Sequence, residues 1–413
     1  MAFRNVFRYR RRSLITALAI ALGVTFTIMV DAMLFGAEVE SARNIRDFET
    51  GDAKVFAPGY FAERSFLPMD FLLEAEERTA IEKGLAGCRV APRAVFPAAM
   101  YFGEASFEVA GSASVKVIAV DPVREAGVFR TPRMVDSGRW LEPGDYGIVI
   151  GAWLAEDIGA KVGYTVSLEC KGRGGFWQTL DTEVTGIVLT DDPYVNRNTV
   201  YIDLSRADAL LDLAGAVTEY AVRLPDSDRR QAERTSRALG SLAGRLPGGK
   251  AELYSWDRIE ADAVQLTKTK SGGSKVYLLF MFIIAAVGVS NTMLMAVMER
   301  RSEIGTLRAL GYTSFRIRYL FLAEGFGIGL IGTAAGTLAG CLVTAYMVSR
   351  GIDFSFMLRE IDAGYRLTGI MRSAWHPEGI VKTVSGALVI SSAVAWFPSG
   401  RILASEVSEI LRS

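Results

Sequence analysis

Apolar and polar positions divide this chain into four long hydrophobic runs and one long mixed region. The first run, SLITALAIALGVTFTIMVDAML, extends from Ser13 to Leu34. The second, VYLLFMFIIAAVGVSNTMLMAV, is uncharged and covers Val276 to Val297. The third, GFGIGLIGTAAGTLAGCLVTAYMV, covers Gly325 to Val348. Each approaches or exceeds the roughly 20 residues a membrane-spanning helix needs. The fourth, VKTVSGALVISSAVAWF from Val381 to Phe397, is shorter and weaker. Its Lys382 can snorkel to one interface, and Trp396 and Phe397 suit the other. The mixed region between the first two runs has the periods of water-exposed structure. Short alternating or β-branched runs recur there (DAKVFAP, SFEVAG, SVKVIAV, YGIVIG, TVSLEC, TEVTGIVL, NTVYIDL, EYAVRLP), separated by turn residues. Helical patterns lie between them: PMDFLLEAEERTAIEKGLA, GAWLAEDIGA, SRADALLDLAGA and SDRRQAERTSRALGSLAGRL. This predicts an α+β domain with mixed strands. Two lobes are compatible with it, because strand-rich sequence recurs on both sides of the helix near Gly151.

Charge sets the orientation. Arg4, Arg8, Arg10, Arg11 and Arg12 precede the first run with no acid among them. A cleaved signal peptide has the same basic start, but this apolar core is too long for one, so an uncleaved anchor is expected. The arginine cluster places the N-terminus in the cytoplasm. Four crossings bring the C-terminus to the same side and put the mixed region outside. Arg350, Arg359, Arg366 and Arg372 between the third and fourth runs oppose this tally, and neighbouring acids offset them only weakly. The expected fold is therefore membrane α-helical, with four transmembrane helices and a large extracytoplasmic α+β domain inserted between helices one and two. The expected boundaries are a cytoplasmic amphipathic helix at 1–12 and helix one at 13–36. The outer domain follows at 37–273, then helix two at 274–298 and a cytoplasmic segment at 299–318. Helix three takes 319–348, an outer loop 349–379, helix four 380–397 and a cytoplasmic tail 398–413.

Composition agrees with a membrane class: 50% of residues are hydrophobic and mean hydropathy is +0.24. The formal net charge is zero, so no global field draws nucleic acid. One histidine, His376, leaves little for imidazole-based metal or nucleophile chemistry. Cys88, Cys170 and Cys341 match no zinc or redox spacing. Cys88 and Cys170 could pair in an oxidising compartment or remain free thiols. TKSGGSK lacks the spacing of a phosphate-binding loop, and DDPYVNRN lacks that of a calcium loop and reads as a connection between strands. Glu324, at the entry to the third run, is a candidate interfacial carboxylate. No nucleotide-binding core, resident cofactor or catalytic constellation is expected.

Two features remain. Glu299, Arg300, Arg301 and Glu303 form a charged collar after the second run. Ile304, Leu307 and Leu310 follow at i, i+3 and i+6, flanked by Arg308, and Gly311 permits the helix to end. A short apolar ridge with a charged rim suits a groove on a partner; a helix lying on lipid headgroups is the alternative. In the third run, Gly325, Gly329, Gly332, Gly336 and Gly340 give a smooth stripe against which another helix can pack closely.

The order of these parts resembles the MacB/FtsX-type permeases, the type VII ABC transporters. FRNVFRYRRRSLITALAIALGV resembles the start of such chains, and SGRWLEPGDYGIVIGAWLAEDIGAKVGYTVSL their periplasmic core domain. MERRSEIGTLRALGYTSFRIRYLFLAEG resembles their most recognisable cytoplasmic segment. FPSGRILASEVSEILRS resembles their tail, only partly kept. The resemblance implies a non-catalytic permease of the bacterial inner membrane, paired with a second identical or related permease. It implies two cytoplasmic ABC ATPase subunits, which bind the ATP and magnesium and push on residues 299–311. It also implies contact with membrane lipid, and a periplasmic carrier or adaptor in some members. Export or extraction of a lipoprotein, lipid or amphiphile is the expected work. A mechanotransmitting regulator of an outer enzyme, as in division-type members, and a receptor without an ATPase are the alternatives.

Overall fold

The computed structural model describes residues 10–103, 111–225, 239–246, 248–261, 301–353 and 370–403. It also describes residues 265, 280, 283, 286, 287, 290, 294, 295, 298 and 299. The chain divides into two compact units: Ser41–Val264 with Asp362–Thr368, and Met1–Glu40 with Gln265–Ile361 and Gly369–Ser413. Helix α1 runs over Arg10–Asn44 and is followed by a π-helical turn, Ile45–Thr50.

The first unit is built on one mixed sheet. Its strands are β1 (Ala53–Phe56), β2 (Arg89–Phe102), β3 (Gly111–Val120), β4 (Val135–Gly138) and β5 (Ile148–Gly151). They continue with β6 (Thr165–Lys171), β7 (Trp177–Val188), β8 (Thr199–Asp203), β9 (Glu219–Arg223) and β10 (Glu252–Ser255). The order is β10-β1-β9-β2-β3-β8-β5-β7-β4, with β6 pairing β2 and β7. Among the described strands, β3–β8 and β5–β7 pair in parallel and the other pairs are antiparallel. Helices α2 (Ala75–Gly84), α3 (Pro122–Val128), α4 (Ala152–Ile158), α5 (Pro193–Asn198) and α6 (Leu204–Leu211) connect the strands.

Alternation along the strands buries both faces of this sheet. Phe96, Met100, Val117, Ile148, Ile150 and Ile202 enter one core. Their neighbours Val95, Ile118, Val149 and Tyr201 enter another, with Phe48 of the π-helical turn. A third core gathers Val55, Leu73, Ile81, Leu85, Tyr220 and Val222. The two-lobed expectation thus resolves into separate cores along one continuous sheet.

The interior also holds charge. Arg93 and Glu125, both fully buried, form a two-pronged pair, with Arg93 Nε 3.1 Å from Glu125 Oε2. The Arg93 guanidinium stacks over Phe129 at 3.5 Å and lies 3.8 Å from Glu219. Glu219 in turn meets Lys54 at 2.8 Å. Burial pushes the Lys54 amine down, against the opposing pull of Glu219. Asp47 in the π-helical turn sits among Arg223 at 3.2 Å, Arg43 at 3.5 Å and Arg130 at 3.6 Å. These ions are paired because an isolated buried charge costs far more than a pair.

One expectation changes in this unit, and one open alternative is decided. DDPYVNRN forms α5 rather than a plain connection: the Asp192 carboxylate accepts from the Tyr194 and Val195 backbone N–H groups, and Pro193 pre-sets the first turn. Cys88 and Cys170 are free thiols, and burial pushes the Cys170 thiol up to about 11.

In the second unit, α7 (Arg301–Ala309), α8 (Ser314–Arg350) and α9 (Pro377–Leu403) join the α1 residues up to Glu40. A two-residue ladder pairs β11 (Ile352–Asp353) with β12 (Ile370–Met371). Among the described residues, two helical stretches are long and apolar enough to cross a membrane, Ser13–Thr50 and Ser314–Arg350. Most of the second apolar run of the sequence lies outside the described residues.

Candidate functional site

Helix α7 is a short charged helix that ends abruptly. Leu310 N–H donates to the Thr306 carbonyl at 3.0 Å and Gly311 N–H to that of Arg308 at 3.0 Å. Gly311 takes φ +89°, a left-handed conformation that glycine adopts without steric cost. Thr313 then caps α8, its hydroxyl accepting from the Arg316 N–H. The result is a tight helix–turn–helix from Arg301 through Ser314.

The anticipated ridge does not survive as one surface. Ile304 is buried, 2% exposed, whereas Leu310 is 72% exposed. The reason is helical arithmetic: positions i and i+6 stand about 120° apart on a helix of 3.6 residues per turn, and Leu310 also falls beyond the last helical residue. The side chain of Leu307 lies outside the described residues, as do those of Arg301 and Glu303 and the whole of Arg300. Glu299 is helical and Arg308 half-buried. The exposed apolar groups here are instead Leu310, Tyr312, Phe315 (66% exposed) and Tyr319, from the turn and the first residues of α8. The sequence carries this signal in GYTSF, where two aromatic residues follow the turn glycine.

Phe315 also tethers the start of α8 to the far end of α9. Its ring meets Trp396 edge-on with centroids 6.1 Å apart, and the Arg318 guanidinium stands 5.7 Å from the same indole.

Within the second unit, all five stripe glycines are buried. A Cβ at Gly336 would lie 2.8 Å from the Ala21 Cα, and one at Gly340 3.1 Å from the Ile28 Cβ. Gly332 faces Ile20 in the same way, at 2.9 Å, so this stretch of α8 lies against α1. The Thr25 hydroxyl donates to the Gly336 carbonyl at 3.1 Å. Gly329 instead faces Ser391 of α9. The absence of side chains lets three helices approach at backbone distance, where dispersion and short hydrogen bonds hold them. Glu324 is buried in α8 just before this stripe.

Among the described residues no cluster of histidine, cysteine and carboxylates could hold a metal ion. What the arrangement offers is mechanical: an apolar, exposed turn that continues directly into a long helix packed by glycines.

The sequence matches the MacB-like periplasmic core domain over residues 13–238 and the FtsX-like permease C-terminal family over residues 275–407. The chain belongs to the MacB/FtsX family of permeases. One similar protein is an uncharacterised ABC transporter permease of Methanocaldococcus jannaschii, 24% identical, covering 83% of this chain and 82% of the relative. Another is the lipoprotein-releasing system transmembrane protein LolC of Xylella fastidiosa, 24% identical, covering 97% of this chain and 93% of LolC. The macrolide export ATP-binding/permease protein MacB of Escherichia coli is 22% identical, over 81% of this chain and 50% of MacB. As a MacB/FtsX-family protein of this kind, the chain is a non-catalytic permease subunit of an ABC transporter. It is a membrane protein with a large extracytoplasmic domain, and its ATPase is a partner chain.

Proposed function

We propose that this permease draws on cytoplasmic ATP hydrolysis to extract or export a lipoprotein, lipid or related amphiphile at the extracytoplasmic side of an inner membrane. One observation carries the substrate reading: the likeness to LolC, a lipoprotein-releasing protein, extends over 97% of this chain and 93% of LolC. Four crossings leave both termini and residues 299–318 in the cytoplasm. Two ATPase subunits carry ATP and magnesium and seat on that cytoplasmic segment. The contact surface is the Leu310–Phe315 turn, with the charged collar Glu299, Arg300, Arg301, Glu303 and Arg308 at its rim and Ile304 supporting it from inside. A second copy or a related permease completes the pair, membrane lipid surrounds it, and a periplasmic carrier or adaptor takes the released cargo.

The substrate reading is tested with proteoliposomes holding the permease, its ATPase and a lipid-anchored reporter protein. ATP should release the anchored reporter from the vesicles and leave a transmembrane-anchored one in place. ATP hydrolysis without any release of the lipid-anchored form would sink the lipoprotein reading while leaving the permease assignment intact.

A further inference from the structure

The extracytoplasmic domain holds a cleft of about 510 Å³. Its walls are α2, the start of α3, the β4–β5 connection, the start of α6 and the loop at 215–217. The volume falls within the roughly 300–1,000 Å³ of ligand pockets. Pro122, Val123, Pro143 and Leu204 give it apolar surface, and Val123 is 70% exposed. One wall is held in a strained shape. Ala214, at φ +53°, takes the left-handed conformation that a residue with a Cβ rarely adopts. Such strain persists only where the surroundings fix it, and it gathers at ligand clamps. Here Asp208 does the fixing: its carboxylate accepts from the Gly215 N–H at 3.0 Å.

The polar groups of the cleft carry both signs. Arg78 of α2 and Arg124 of α3 donate to the same oxygen, Glu82 Oε1, at 3.2 and 2.6 Å. One carboxylate thus serves two guanidiniums. Among the described residues, both Nη groups of Arg78 and Nη2 of Arg124 make no hydrogen bond. The two side chains are 39% and 38% exposed. Asp203, which caps α6, is buried at 3% exposed. Its Oδ1 accepts from the Ser205 N–H at 2.9 Å and from the Ser205 hydroxyl. Asp208 gives Oδ1 to Gly215. The second oxygen of each carboxylate makes no hydrogen bond among the described residues. Asp121 is spent on α3: its Oδ1 accepts from the Val123 and Arg124 N–H groups, and its Oδ2 lies 3.5 Å from Arg124 Nε.

We propose that this cleft binds a short zwitterionic peptide, with its carboxylate on Arg78 and Arg124 and its ammonium on Asp203 and Asp208. The free Nη donors of the two arginines suit a carboxylate, which only accepts. The free oxygens of the two aspartates suit an ammonium, which only donates. A ligand of one sign would meet one set and face the other as a like charge, which costs affinity. A ligand bearing both signs meets both sets. The apolar surface of Pro122, Val123, Pro143 and Leu204 then covers the residues between the two ends, and the volume leaves room for a few of them. A bound peptide ties α2 and α3 to α6, and so stabilises the domain as well. The cleft is independent of the lipoprotein reading: either can fail while the other stands.

The test is equilibrium dialysis of isotope-labelled trialanine against the full-length permease in detergent. Trialanine should bind with a dissociation constant of about 1 mM or tighter. N-acetyl-trialanine lacks the ammonium and trialanine amide lacks the carboxylate. Each should compete at least about tenfold more weakly than trialanine itself. Arg78→Gln should cut the advantage of the free carboxylate at least about threefold. Asp208→Asn, which keeps an acceptor for the Gly215 N–H, should cut the advantage of the free ammonium by as much. No binding to the wild type, or blocked peptides that compete as well as trialanine, overturns the site. Full discrimination in both folded variants overturns it too. Phosphoethanolamine competing as well as trialanine would overturn the peptide reading and give the cleft to a zwitterionic lipid headgroup. If the variants fail to fold, the wild type with the blocked peptides decides by itself.

Discussion

Gly336 shows how far a single residue constrains this protein. Its missing Cβ is the space into which the Ala21 backbone fits, so Gly336→Leu forces two helices apart. Overpacking of this kind costs about 1–3 kcal/mol, and the purified permease should melt lower by a corresponding margin; an unchanged melting curve would show that the contact is dispensable. Asp192 makes a different prediction. Burial, reinforced by neighbouring Glu49, pushes its carboxyl up to about 7. Stability from a raised acid is full below the unfolded value and lost as pH rises through the folded one. The extracytoplasmic domain should therefore weaken between about pH 5 and pH 8. Asn caps a helix as Asp does, so Asp192→Asn should remove that slope and raise stability at pH 8, read from thermal unfolding at the two pH values. The glycine stripe was legible at this scale because periodic small residues have few other uses in an apolar helix. The charged residues of the cleft, Arg78, Arg124, Asp203 and Asp208, were not, since they are far apart in sequence and belong to no motif.

At the scale of elements, β2 is the instructive strand. It is long, pairs with β3, β6 and β9, and yet VAPRAVFPAAM does not read as a strand because of Pro92 and Pro97. The pairing explains their tolerance. Pro92 pairs with β9 before β3 pairing begins at Arg93, and Pro97 falls between the end of β9 pairing at Arg93 and the start of β6 pairing at Ala98. Each proline thus stands where one edge has no partner, and its missing N–H costs no ladder bond. β2 also carries Arg93 into the interior, a residue whose burial no local pattern announces. Arg93→Met leaves Glu125 buried without its partner and should cost about 3–5 kcal/mol, whereas Arg93→Met with Glu125→Leu should recover most of that loss. Denaturant unfolding of the three proteins checks it; a double variant no more stable than Arg93→Met would mean that the site tolerates no apolar replacement. The strands β3, β5, β6, β7, β8 and β9 were legible because short alternating or β-branched runs stand between turn signals. The helical ridge was legible as a helix but not as a surface: Ile304 and Leu310 stand about 120° apart on it, and of the two Leu310 is the exposed one.

For the molecule as a whole, the order of parts was the most readable feature. A basic start, one apolar run, a long mixed region and further apolar runs around a charged segment pointed to a permease, and the matches to both family domains agree with it. What the sequence could not supply was which apolar side chains stand exposed near the turn, because exposure depends on which helices pack beside α7 and α8. The proposed contact surface is Leu310, Tyr312 and Phe315 rather than the Ile304 side of α7, because those three are exposed and Ile304 is buried. Hydrolysis by the partner ATPase, reconstituted in lipid with this permease, tests the assignment most directly. With Leu310→Asp and Tyr312→Asp together, permease-stimulated hydrolysis should fall at least about tenfold, a coupling loss of at least about 1.4 kcal/mol, while the permease keeps its melting temperature. Wild-type hydrolysis by a folded double variant would contradict it.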